Sequence, residues 1–167
     1  LDEIDKWIEE AEEVGEVAVD TETTSLDPHQ ADLVGISLCS KIGKACYIPV
    51  GHKSPKCLKK DAVIKKLKKI LEDPSIKKIG QNIKFDFIVF YKCGITLSSM
   101  EDTMLMSYVL DAGKNRHNMD TLSEIHLGHK TISFKEMVGT GKKEINFSEV
   151  ELDKAKDYAA EDADVTF

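Results

Sequence analysis

The sequence lacks long apolar runs, paired cysteines and an excess of positive charge, and each absence excludes a class of protein. Its longest apolar runs, such as Phe87-Ile88-Val89-Phe90-Tyr91, fall far short of the ~20 residues a membrane helix needs. No membrane association is expected. No basic segment followed by an apolar one opens the chain, so no secretory leader is expected either. The four cysteines, Cys39, Cys46, Cys57 and Cys93, form no C-x-x-C pair. That usage argues against cysteine-held zinc and points to a reducing compartment. The formal net charge is −7, from 23 Lys+Arg against 30 Asp+Glu, which argues against grip on nucleic acid by bulk electrostatics. Ten lysines between Lys53 and Lys78 break this acidity locally, and they read as a solvated helix face.

What is present is a globular composition, 41% hydrophobic and 32% charged over 167 residues. That is about one domain's worth of chain, able to bury roughly 70% of its unfolded surface without disulfides or a structural metal. The chain starts at Leu1 and stops at Phe167, so a single domain over 1–167, cut from something longer, is expected. Ile4, Trp7, Ile8 and Ala11 recur at helical spacing behind a capping Asp2. Val17–Val19, Leu33–Leu38 and Ala45–Val50 then read as three strands, close enough in sequence for an antiparallel meander. Asp61 begins a helix with Val63, Ile64, Leu67, Ile70 and Leu71 on one face. Ile76–Ile79 follows as a strand, and Gly80-Gln81-Asn82 leads into a helix reaching Cys93. Further helices are expected over 102–110, 119–127 and 148–160, the last opened by a Ser148-x-x-Glu151 capping box. Gly128–Asn146 carries few periodic apolar residues and reads as a mobile connection. Strands first and helices later make a mixed α/β domain.

Three short motifs could carry chemistry. Asp20-Thr21-Glu22 ends the apolar run Val17–Val19, and residues two apart on a strand share a face. Two carboxylates held so close repel unless a cation is bound or one is protonated. Asn82 and Asp86 stand four apart at the start of a helix rich in phenylalanine, as do Tyr158 and Asp162 on either side of Ala159 and Ala160. Taken singly, each has an ordinary reading: a polar strand end, a capped helix, an amphipathic surface. Together they supply four carboxylates, Asp20, Glu22, Asp86 and Asp162, with no histidine or cysteine partner. Hard oxygen donors of that kind suit Mg²⁺ or Mn²⁺, and two such ions about 3.5–4 Å apart serve in-line phosphoryl displacement. Other chemistries fit less well. Gly139-Thr140-Gly141-Lys142-Lys143 lacks the upstream glycine and the Ser/Thr of a phosphate-binding loop. The five histidines have no metal spacing, and no nucleophile elbow is present.

The stretches Val19–Asp27, Gly80–Asp86 and Tyr158–Thr166 closely resemble the three exonuclease motifs in the 3′–5′ proofreading domains of bacterial DNA polymerase I. The resemblance continues through Asp102–Leu105, Arg116–Leu122 and His129–Phe134, and so covers nearly the whole chain. It implies the tyrosine-bearing DEDD branch and a ribonuclease H-like fold, a mixed sheet of about five strands flanked by helices. It implies that Asp20, Glu22 and Asp162 hold a first divalent ion and Asp20 with Asp86 a second. Tyr158, aided by Glu22, would orient the attacking water. Leu26 resembles an apolar wedge against the last base, with Phe134 beneath the unstacked strand. Gln81, Asn82 and Arg116 match positions expected to touch the 3′-terminal nucleotide. The implied partners are a single-stranded DNA 3′ end and a C-terminal polymerase domain. A folded but inert module and a ribonuclease D-like RNA trimmer are the alternatives.

Overall fold

The computed structural model describes residues 1–167. Five strands form one sheet in the order β3-β2-β1-β4-β5. β1 (Glu16–Thr23), β2 (Leu33–Lys41) and β3 (Lys44–Pro49) pair antiparallel in chain order as the expected meander. β4 (Lys77–Gly80) joins the other edge of β1 in parallel, and β5 (Met100–Asp102) pairs in parallel with β4. Parallel neighbours need a crossover. α2 (Lys60–Glu72) carries the chain to β4, and α3 (Lys84–Lys92) carries it on to β5. β5 is only three residues long, too short for an alternating pattern to reveal in the sequence.

The alternation of β1 divides the molecule into two layers. Val17 and Val19 point into the larger core, with Ile36 and Leu38 of β2, the apolar faces of α1 (Asp2–Val14) and α2, and Val89 and Phe90 of α3. Ala18 points the other way, against Cys39 and Ala163 of α7 (Leu152–Thr166). Ala155, Ala159 and Ala163 recur every four residues on α7 and are fully buried, so the helix backbone lies close to the sheet. Gly35 serves a similar purpose on β2, because a Cβ there would stand 2.1 Å from the Tyr47 hydroxyl.

The end of the chain departs from the sequence expectation. Ser148 does not cap a helix. Asn146 forms the capping box instead, with Glu149, around the 3-10 turn Phe147–Glu149. Phe147 is thereby turned into a small core with Val34, Val138, Val150 and Ala155. The backbone is extended at Val150 and Glu151 before α7 begins at Leu152. The stretch expected to be a mobile connection is instead ordered, with α5 (Met119–Leu127) before it and α6 (Phe134–Val138) within it. Glu161 of α7 accepts from the Ile132 N–H at 2.6 Å and meets His129 Nε2 at 2.8 Å, while Thr131 Oγ1 donates to Asp120. Such polar fastening leaves no apolar period in the sequence. α4 (Thr103–Asp111) has no buried residue and leaves Leu105, Tyr108, Val109 and Leu110 exposed. No helix is long and apolar enough to cross a membrane.

Lys78 is the largest fully buried side chain. Its ammonium donates to the carbonyls of Asp73 and Ile76 at 2.6 Å and Ile70 at 3.4 Å, and to Ser98 Oγ at 3.3 Å. It thus closes the turn between α2 and β4 from inside. Lys78→Met would leave those acceptors unmet, so urea unfolding should show a loss of about 2–4 kcal/mol. An unchanged midpoint would mean that water replaces the ammonium.

Candidate active site

The alternation of β1 also places the acids. Asp20 and Glu22 share the face of Ala18, and α7 brings Asp162 to that same face. Carboxylate oxygens of Asp20, Glu22 and Asp162 lie within 4.8 Å of one another. Thr21 points to the opposite face, where α3 runs, and its hydroxyl and N–H both donate to Asp86 Oδ1, at 2.5 and 3.0 Å. Asp86 therefore reaches the same cleft from the other layer, held by Thr21 and outside the cluster of three. The β1–β2 register shifts between Glu22 and Thr23. Such a bulge bends the strand and re-aims its side chains.

The cleft has a volume of about 670 Å³ and its floor is formed by Asp20, Glu22, Asp86, Tyr158 and Asp162. Leu26, nine-tenths exposed, and Phe134 stand on its rim. Asn82 lines it, with its backbone left-handed at φ 59°. That places Asn82 before α3, and neither a helix-face partner of Asp86 nor a side-chain cap. Gln81 also lines the cleft, but its amide is engaged within the protein: Nε2 donates to the His117 carbonyl and Oε1 accepts from Thr103. Arg116 is exposed beside His117 and is not part of the cleft wall, whereas Asn118 is.

Four supporting residues escaped the sequence reading. Phe147 stacks on Phe134 (ring centroids 6.1 Å apart, 7° between planes) and tilts against Tyr158 at 5.9 Å. It joins rim and floor. Asn146 Nδ2 donates to the Thr24 carbonyl, and Lys92 Nζ to the carbonyls of Pro28 and Ala31, so the loop bearing Leu26 is pinned from two sides. Thr21 was visible only as the spacer between two acids. Asn146, Lys92 and Thr21 each bind a partner more than sixty positions away in the chain.

The electrostatics are those of a site that wants positive charge. Burial pushes Asp20 up to about 7. Asp162 rises to about 8, from burial first and then the Asp20 charge, with the Tyr158 hydroxyl acting against the shift. Glu22 is raised by burial and by Asp20, Asp162 and Asp86, and Asp86 by burial and Asp20. Tyr158 is raised as well, by burial and then Asp162, so it stays a protonated hydroxyl. Glu22 Oε1 is buried without any hydrogen-bond partner. A divalent cation fits this donor set: the ligands are all oxygens, and an unpartnered carboxylate oxygen is costly to bury unless something positive meets it.

These raised values carry a sign. The folded chain holds more protons than the unfolded one, so stability present below about pH 4 is lost as pH rises through about 7 to 8. Without divalent ions the melting temperature should fall between pH 5 and 8. Added Mn²⁺ should restore it, and Asp162→Asn should flatten the profile. A metal-free melting temperature that does not change over that range would contradict the crowding of charge.

The chain is similar to known proteins in sequence and in fold. DNA polymerase I of Rhizobium leguminosarum is 45% identical over 98% of this chain, and that of Pseudomonas aeruginosa 45% over 97%. The chain spans 18% of the length of each of these relatives. Among solved structures, the apo form of a nuclease superposes with a TM-score of 0.74 at 23% identity, over 95% of this chain and 71% of that one. Escherichia coli RNase D, an exoribonuclease involved in structured RNA processing, gives 0.68 at 21% identity, over 96% and 40%. Those likenesses establish the fold, the mixed five-strand sheet of the ribonuclease H-like exonucleases. A family model described as 3′–5′ exonuclease matches residues 1–167, and the chain belongs to that family.

Proposed function

We propose that this chain removes nucleotides from single-stranded or mismatched DNA 3′ ends, as the proofreading domain of a longer polymerase working in a bacterial cytoplasm. The observation that carries the reading is the cluster of Asp20, Glu22 and Asp162, with an unpartnered Glu22 oxygen at the floor of an open cleft. In this reading Asp20, Glu22 and Asp162 hold one Mg²⁺ or Mn²⁺ ion, and Asp20 with Asp86 a second. Such ions, when bound, activate a water and offset the charge on the leaving oxygen.

The chain's own groups do the rest. Tyr158 keeps its proton, so its hydroxyl acts as a hydrogen-bonding group that orients the attacking water and not as a base. Phe147 fixes its ring. Glu22, on the neighbouring strand end, accepts from the same water. Leu26 can wedge beside the terminal base, and Phe134, backed by Phe147, offers a ring to the unstacked strand. Base–aromatic contacts are worth about 1–3 kcal/mol each, while extruding a paired base costs a few kcal/mol. A frayed end is therefore favoured over a duplex. Asn82 faces the terminal nucleotide directly. Gln81 contributes by holding the 116–118 loop, and Arg116 meets a phosphate outside the cleft wall. With a net charge of −7, affinity without a polymerase domain should be weak and fall with added salt.

Cleavage of a 3′-labelled single strand, a terminal mismatch, a blunt duplex and an RNA strand tests the reading, with Mn²⁺ present. The first two should be cleaved fastest. No cleavage by the wild type would leave an inert module, equal rates on all DNA ends would remove proofreading, and preference for RNA would favour an RNA trimmer. Asp20→Ala and Asp86→Ala should abolish turnover with the fold intact. Tyr158→Phe should lower the single-turnover rate by about 10–10³-fold without weakening DNA binding. Leu26→Ala should narrow the preference for unpaired ends, and an unchanged ratio would remove the wedge.

A further inference from the structure

We infer that Asp102 is a positioning residue for the second-ion half of the site, acting through the left-handed backbone of Asn82. This inference rests on the two-ion reading of the cleft, but its test does not depend on turnover. Asp102 ends β5, opposite Gly80 of β4, and does not line the cleft. Its carboxylate nevertheless receives four backbone N–H groups from two elements. Asn82 N donates to Oδ1 at 3.0 Å and Ile83 N to Oδ2 at 3.1 Å, so both oxygens grip the segment that enters α3. Met104 N and Leu105 N donate to Oδ1 at 3.0 and 3.3 Å, capping α4.

The grip falls where the backbone resists its own conformation. Asn82 has φ 59°, a left-handed region that most L residues seldom enter and that asparagine enters at modest cost when local bonds hold it there. Ile83 and Lys84 follow at once into α3, and Asp86 lies in the first turn. The direction in which α3 leaves the sheet, and with it the reach of Asp86 to Thr21, depends on that one left-handed residue. A carboxylate is suited to the task because an ionised acid accepts from several N–H groups together, and such charge-assisted bonds are the strong ones. The same acid links Asp86 to Gln81, because α4 begins at Thr103, whose hydroxyl donates to Gln81. Asp102 thus registers α3 and α4 against the end of β4.

A double-mutant cycle separates positioning from mere support. Asp102→Ala should lower kcat and weaken Mn²⁺ binding, measured by calorimetry, by about 10–100-fold, as for other groups that orient ligands from outside. Glycine adopts positive φ freely, so in an Asn82→Gly background Asp102→Ala should have little further effect on Mn²⁺ affinity. Asp102→Asn, which keeps one acceptor oxygen, should fall between wild type and Asp102→Ala, and it repeats the cycle if the alanine variant does not fold. Equal losses in both backgrounds would overturn the role assigned to Asn82. Unchanged Mn²⁺ affinity and kcat with only a lowered melting temperature would reduce Asp102 to a helix cap. A wild type that binds Mn²⁺ but cleaves nothing would sink the proposed function while leaving the cycle readable.

Discussion

Four carboxyl groups crowded at the end of one central strand repel each other, and much of this structure answers that constraint. Asp20 and Asp162 titrate near neutrality, raised by burial and, for Asp162, by the Asp20 charge. Glu22 carries a buried oxygen with no partner. Nothing in the protein neutralises them: no lysine, arginine or histidine lines the cleft. A fold that keeps such a cluster sacrifices stability for a place suited to positive charge, the compromise expected of a functional site.

The division of labour between the two faces of the sheet follows from the period of a strand. Even-numbered residues of β1 face α7 and odd-numbered ones face the layer of α1, α2 and α3, so a three-residue motif serves both layers at once. Asp20 and Glu22 join Asp162 on one side while Thr21 holds Asp86 on the other. The alanines of α7 bring its backbone near enough for Asp162 to arrive. The aromatic set of Phe134, Phe147 and Tyr158 then ties the floor of the cleft to its rim. A displacement of α7 would move the acid, the tyrosine and the stacking ring together.

The polar fastenings around the cleft are of one kind: a side chain from one element binding the backbone of another. Asp102 holds the entrance to α3, Glu161 the loop before α6, Asn146 and Lys92 the loop of Leu26. Each satisfies main-chain groups that a loop cannot pair by itself, which is how a binding surface on loops is kept in one geometry.

The sequence by itself determined the order of the larger elements, the meander and which acids were candidates, because apolar alternation and carboxylate spacing are local properties of the chain, whereas β5 and α6 left no such signal. Val17–Val19 marks a buried strand, and Asp20-x-Glu22 marks its charged end, whatever the rest of the chain does. The tertiary structure decided what locality cannot express. Asp86 lies on the opposite face from the other acids, held by Thr21 across 65 positions. Ser148 yields its cap to Asn146 because Phe147 is drawn into a core made by β2, α6 and α7. Gln81 turns its amide to His117 and not to the cleft. Periodicity records which side of an element is apolar, but the partner of each polar group depends on how the layers pack, and only the folded chain sets that.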